Sequence, residues 1–273
     1  MIRPTICFLS IAVFTCWNIG ARSSVPASVH VDLRSRAIVF PGSAKWDAVT
    51  ERYDFDPKKA AVIICDMWDK HWCSGATRRV GLLVERLQPF IDAARRSGIT
   101  IIHAPSETMK FYRNAPQRQK MLALSRIDPP AELKLNSPEL PIDDSSGGCD
   151  TGDKEYKPWT RENPGLTIDP ADYVSDDGHE IYSLLRTKGI ETLFYAGVHA
   201  NKCILNRSFA IRQMSKWGMH CILLRDLTDA MYSPHDRPYV SHEAGTELVI
   251  EHIEKYWAPT LVSNQLEDAL AGR

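Results

Sequence analysis

The sequence predicts a three-layer α/β/α domain around a six-stranded parallel sheet. Three observations predict it. Short apolar runs recur at 61–65, 99–103, 191–196 and 219–224, as expected for strands covered on both faces. Between them apolar residues repeat at helical spacing. Glycines at 98, 189 and 218 close those helical stretches. Strands alternating with helices imply parallel pairing through right-handed crossovers.

Along the chain, Arg3 and the apolar run 6–17 read as a secretory signal, with cleavage after Ala21 or Ala27. The other reading of this stretch is a buried N-terminal helix. Residues 28–56 lack a clean period and mix charge with Pro and Gly, so they are expected to wrap the core as an extended arm. The domain proper is expected over 57–273. Its first strand is 61–65. Val80, Leu83, Val84, Leu87, Ile91 and Ala94 mark the first helix. The second strand, 99–103, is broken by Pro105. Residues 106–165 are irregular and rich in Pro, Gly, Asp and Ser, with short helices expected near 115–125. So long a loop inside a domain is often a binding loop. A third strand is expected at 166–168. Ile181, Leu184 and Leu185 mark a helix before the fourth strand, 191–196. Ala210, Met214 and Trp217 mark another before the fifth, 219–224. Val249, Ile253 and Tyr256 precede an edge strand at 260–262.

A chain of 273 residues with 44% hydrophobic content can bury a sizeable core. A net charge of −1 supplies no basic stripe, which argues against nucleic acid as a partner. Beyond the N-terminus no apolar run reaches the roughly 20 residues needed to span a membrane. The expected partner is a small-molecule substrate, with no cofactor and no membrane after signal removal; assembly into a homo-oligomer is left open. Export would place the chain in the periplasm or outside the cell, where disulfides can form. Of 7 cysteines, Cys7 and Cys16 fall in the signal. The odd remainder leaves at least one thiol unpaired. Cys65 and Cys221 sit in core strands and read as buried thiols. Cys73 and Cys149 lie in loops and can pair or stay free.

The chemistry concentrates in Leu193-Phe-Tyr-Ala-Gly-Val-His-Ala-Asn-Lys-Cys203. An apolar strand runs into a Gly, a polar turn follows, and Cys203 opens a helix. A helix N-terminus favours a thiolate, and the thiolate is the nucleophile. The plainer alternative is a small buried Cys at a strand–helix joint. Asp66 ends the first strand. It reads as a general base or as a loop Asp capping the next turn. Both residues lie at carboxyl ends of strands, where open α/β sheets bind ligands.

Gly197-Val-His-Ala-Asn-Lys-Cys203 resembles the nucleophile turn of the isochorismatase-like cysteine hydrolases, a family that includes nicotinamidases and other amidases. Ala60-Ala-Val-Ile-Ile-Cys-Asp66-Met-Trp-Asp is similar to that family's first strand and its catalytic Asp. The resemblance covers residues 57 to about 262. It implies strand order 3-2-1-4-5-6, which sets the first and fourth strands side by side. It also implies Cys203 as nucleophile and Asp66 as base, with an oxyanion and substrate turn formed by Val198, His199, Asn201 and Lys202. A cis peptide at Val198–His199 and pocket segments such as Asp226–Asp229 go with it. The family's catalytic Lys has no counterpart here. Asp169 stands near its expected place, so Lys157 and Arg161 are the candidate replacement cations, and His199 is a further candidate donor. The nicotinamidase metal set after the second strand is absent. Asp69 and His71 are only weak metal candidates. Trp68, Trp72 and Trp159 lie near loop mouths and can wall a pocket or pack a core.

These readings predict a hydrolase cleaving a small-molecule amide or related C–N bond. The rivals are a ligand-binding pseudoenzyme on the same fold and a thiol redox protein cycling Cys203 with a neighbour such as Cys73.

Overall fold

The computed structural model describes residues 28–272, so the expected signal at 1–27 lies outside them. The segment read as an extended arm is a β-hairpin, β1 (Val29–Ile38) and β2 (Trp46–Phe55), paired antiparallel along its length. Val29, Val31 and Leu33 are buried on one side of β1 while His30 and Asp32 face solvent. This period of two fits a half-buried strand. The hairpin joins the main sheet, which is therefore eight-stranded rather than six-stranded.

After a 3-10 turn, β3 (Ala60–Cys65) enters the middle of the sheet. The helix α1 (Ser74–Arg96) leads to β4 (Thr100–Ala104). Two short helices, α2 (Met109–Tyr112) and α3 (Pro116–Leu122), interrupt the irregular segment. Then come β5 (Tyr173–Val174), α4 (Gly178–Lys188) and β6 (Thr192–Val198). The remaining elements are α5 (Cys203–Asn206), α6 (Ile211–Lys216), β7 (His220–Asp229), α7 (His242–Tyr256), β8 (Thr260–Leu261) and α8 (Ser263–Leu270).

The sheet runs β2-β1-β8-β7-β6-β3-β4-β5. All pairings from β8 through β5 are parallel, and β1 pairs antiparallel with β8 at Arg34 and Thr260. Two corrections follow. The strand at 260–262 is not an edge, because the hairpin covers it. The third strand is not 166–168. There the Thr167 N–H is taken by Gln88 Oε1 at 2.7 Å, and Asp169-Pro-Ala-Asp172 folds into a turn. The strand forms one turn later, with Val174 opposite His103.

Each face of the sheet carries its own core. Ala61, Ile63 and Cys65 of β3 point toward α4, α6 and α7. Ala60, Val62 and Ile64 point toward α1 and α8. The continuous apolar run of β3 thus serves two layers at once. Burial of each large aliphatic side chain is worth roughly 1.5–3 kcal/mol. Among the described residues no helix is long and apolar enough to cross a membrane.

Candidate active site

Strand β3 lies between β4 and β6, with Cys65 opposite both Ala104 and Gly197. Its next residue, Asp66, leaves the sheet in the left-handed region at φ 48°. Asp tolerates that region better than most residues, and such geometry gathers at functional sites. The Asp66 N–H donates to the Ala104 carbonyl at 3.1 Å, which turns the side chain over the sheet end. The carboxylate is fully buried. Oδ1 accepts the Ser106 N–H at 2.7 Å, and Oδ2 accepts the Arg207 Nε–H at 2.9 Å.

On the adjacent strand Gly197 is required. Its φ is 110°, and a Cβ there would lie 2.1 Å from the Cys65 carbonyl oxygen. The close approach brings the end of β6 against the start of the Asp66 turn. The Val198–His199 peptide is cis. Ala200 N–H donates to Asp229 O, and the N–H groups of Lys202 and Ile204 both reach His199 O. Cys203 then opens α5, so its own N–H precedes the first intrahelical bond.

The helix after Cys203 is shorter than its periodicity suggests. It ends at Asn206, Arg207 is extended at ψ 159°, and α6 starts only at Ile211. The break has identifiable causes. The Tyr195 hydroxyl takes the Phe209 carbonyl at 2.7 Å, and the Ser208 hydroxyl takes the Gly178 N–H at 3.0 Å. One helical turn is still enough to set Arg207 four residues beyond Cys203 on the same face. Its N–H bonds the Cys203 carbonyl at 3.1 Å.

The Cys203 thiol and the Asp66 carboxylate are close enough to shift each other's titration. Burial pushes the thiol well above its ordinary range. The Asp66 charge pushes it the same way, while Arg207 and the His199 N–H oppose them. Burial likewise raises the Asp66 carboxyl, against the pull of Arg207, the thiol and Ser106. The resting thiol is therefore neutral, and the guanidinium offsets part of the cost that burial puts on the ionised carboxyl. The one-turn helix does not supply the thiolate that the sequence suggested.

Above Cys203 opens a cleft of about 570 Å³. Trp68 and Trp159 stack at 4.4 Å, and His71 lies 5.8 Å from Trp159. These rings, with Trp72, form an apolar wall. The irregular segment supplies the facing side through Asp144–Gly147, Glu155 and Trp159. His199 is buried at the base, and its Nε2 has no hydrogen-bond partner among the described residues. Burial, with the charges of His71 and Arg79 added, depresses this imidazole to about 3. His71 is depressed to about 4 by burial and Arg79.

No family model matches the chain, and no curated protein does. Its likeness is to solved structures. A cysteine hydrolase from Pseudomonas syringae pv. phaseolicola 1448A superposes with a TM-score of 0.53 at 16% identity, covering 80% of this chain and 95% of that one. The chain has an isochorismatase-like fold. A putative isochorismatase from Burkholderia xenovorans LB400 aligns at TM-score 0.49 and 15% identity over 78% of this chain and 88% of that one. An isochorismatase from Pseudomonas putida KT2440 aligns at 0.47 and 17% over 76% and 90%.

Within this isochorismatase-like fold the expected site residues separate. Cys203, His199, Lys202 and Trp68 line the cleft, with Asp66 buried directly beneath. Val198 is buried in β6. Asn201 does not face the cleft. Its amide donates to Met231 O and Asp144 Oδ2 and accepts the Met231 N–H, pinning the turn to the chain just past β7 and to the 144–147 loop. Lys202 pairs with Asp144 at 2.7 Å.

Among the described residues the ion pair to Asp66 is made by Arg207, and neither Lys157 nor Arg161 joins it. Lys157 pairs with Glu107 at 3.0 Å, one charge removed from Arg207. Arg161 lies against the Phe111 ring. Arg207 stands beside Asp66 instead. It was legible only as the residue four positions past Cys203. His199 fails as a donor of positive charge because burial keeps it neutral. The metal candidates do not converge. Asp69 is spent on Thr160, His71 Nδ1 accepts the Cys73 N–H, and the two do not belong to any potential metal cluster among the described residues.

Proposed function

We propose that the chain is a cysteine hydrolase acting on a small-molecule amide or related C–N bond. The observation that carries this reading is one contact set: the Cys203 thiol on the Asp66 carboxylate, and that carboxylate on Arg207. Cys203 attacks the carbonyl or imine carbon as its proton passes to Asp66. Asp66 then returns the proton to the leaving nitrogen. Water, activated by the same carboxylate, releases the acyl group. Arg207 cannot serve as an acid, since a guanidinium stays protonated. Its part is to keep a buried Asp66 ionised and therefore basic. The Cys203 N–H, ahead of the first intrahelical bond, is the donor for a developing oxyanion in this reading. His199, neutral throughout the working range, offers its free Nε2 to the substrate. The apolar wall of Trp68 and Trp159 favours a substrate with a flat face.

A second reading is ligand binding without turnover. The raised thiol and an Arg in place of the family's Lys both favour it. The redox reading in its original form has no such support, because Cys73 lies beside Cys149 rather than Cys203. A panel of small amides separates the first two. Hydrolysis by wild type and none by Cys203→Ala supports the hydrolase. Equal inertness with a shared bound ligand supports the binding protein.

A further inference from the structure

Outside the cleft, a second thiol pair stands where the irregular segment meets the start of α1. Cys73 is fully buried at the N-cap of that helix and makes no capping bond. Cys149 is partly exposed. Both sulfurs lie against one hydroxyl, Thr151 Oγ1, at 3.4 Å from Cys73 and 3.3 Å from Cys149. With one Asp150 oxygen they fall within 4.8 Å of one another. The surroundings hold them there. Asp153 and Thr151 cap the exposed N–H groups of Ser74 and Gly75, and Arg79 grips Asp150 through two nitrogens. The 149–153 loop is thus docked on α1 before any covalent bond forms.

We propose that Cys73 and Cys149 form a disulfide that ties the cleft wall to α1. Cys149 is the attacking thiol and Cys73 the resolving one. Their environments suit those parts. Burial acts against the Cys149 thiolate, but hydrogen bonds from Cys73, from Thr151 and from the Thr151 and Asp153 N–H groups bring its titration below the ordinary thiol value. Burial and its hydrogen bond to Cys149 keep Cys73 protonated, with its sulfur 3.4 Å from Asp150 Oδ1.

The oxidant is a small organic disulfide. The Cys149 thiolate attacks one of its sulfurs, the S–S bond breaks, and one thiolate leaves. Cys73 then gives up its proton and attacks Cys149 Sγ, releasing the second thiol. Two protein thiols are oxidised and one disulfide is reduced to two thiols. The consequence reaches the cleft. Gly147, two residues before Cys149, packs under the Trp72 ring, where a Cβ would lie 3.3 Å from a ring carbon, and Asp144–Gly147 line the pocket. The bond would fix that wall without touching Cys203.

The test equilibrates the full chain with reduced and oxidised glutathione at graded ratios, followed by acid quench, alkylation and peptide mapping. The expected result is a single linked peptide pair, 73–149, while Cys65, Cys203 and Cys221 stay alkylatable. Cys73→Ser should trap a glutathione adduct on Cys149, and Cys149→Ser should leave Cys73 unmodified. Tryptic cleavage at Lys154 and Lys157 should slow several-fold on oxidation. Three results would overturn the proposal: alkylation of both thiols at every ratio, a link to Cys203 instead, or one equivalent of zinc retained by the reduced protein and lost in Cys149→Ser.

Discussion

Arg207 reaches back one helical turn past Cys203 to place its Nε 2.9 Å from Asp66 Oδ2. Cys203 opens a one-turn helix that Arg207 closes as the residue just past its end, and Asp66 follows the last residue of β3. Asp66 has no exposed surface, so its charge depends on this contact and on the Ser106 N–H. Replacing Arg207 by Met should leave a buried carboxylate short of its partner. We expect a stability loss of about 1–3 kcal/mol, read by denaturant unfolding. Activity should fall at least tenfold. Arg207→Lys should recover part of both, since a charge remains while the fixed fork is lost.

Asp66→Asn should cost about 10²-fold or more in kcat, as expected for loss of a general base. The side chain keeps its size and its Ser106 contact, so the unfolding midpoint should change far less than the rate. A parallel loss of fold and rate would mean that Asp66 is structural.

The pH profile follows from the same contact. Burial raises the Asp66 carboxyl above its usual range, so the acid limb of kcat/KM should lie above that of an exposed Asp. The active form is the ionised one, and the rate should rise as pH rises through that limb. Arg207 pulls the limb down. In Arg207→Met it should therefore move to higher pH. A limb that stays in place would separate Arg207 from Asp66 titration.

A second pH effect concerns stability alone. His103 is fully buried, which lowers its affinity for protons. Glu162 at 2.7 Å and Asp172 at 3.2 Å overcome this and raise it from 6.5 to about 9. A raised folded value means that the contribution is fully present below pH 6.5 and is lost as pH rises through about 9. Unfolding midpoints should fall across that window, and His103→Gln should flatten the fall.

Much of this was legible in the chain and some was not. β3, β4, β6 and β7 announce themselves because strands buried on both faces read as apolar runs. Asp66 and Cys203 were legible as the residues that close two such strands. The β1–β2 hairpin was missed, although Val29, Val31 and Leu33 alternate, because β2 is exposed on nearly every residue. The third strand was placed seven residues early. Leu166 is buried against α1 without pairing, and apolarity alone does not distinguish the two. Arg207 carries no signal of its own in the chain, because the family's pattern points to the region after the third strand. Four residues along a helix is the shorter path in space.

The most direct measurement is rapid-quench mass mapping of the full chain with a small aromatic amide that it hydrolyses. An acyl mass on the peptide that carries Cys203 is expected, appearing before product, absent in Cys203→Ala, and formed about 10²-fold more slowly in Asp66→Asn, which lacks the base for the first step. Turnover that persists in Cys203→Ala, with no acyl mass at Cys203, would contradict a cysteine nucleophile in this cleft.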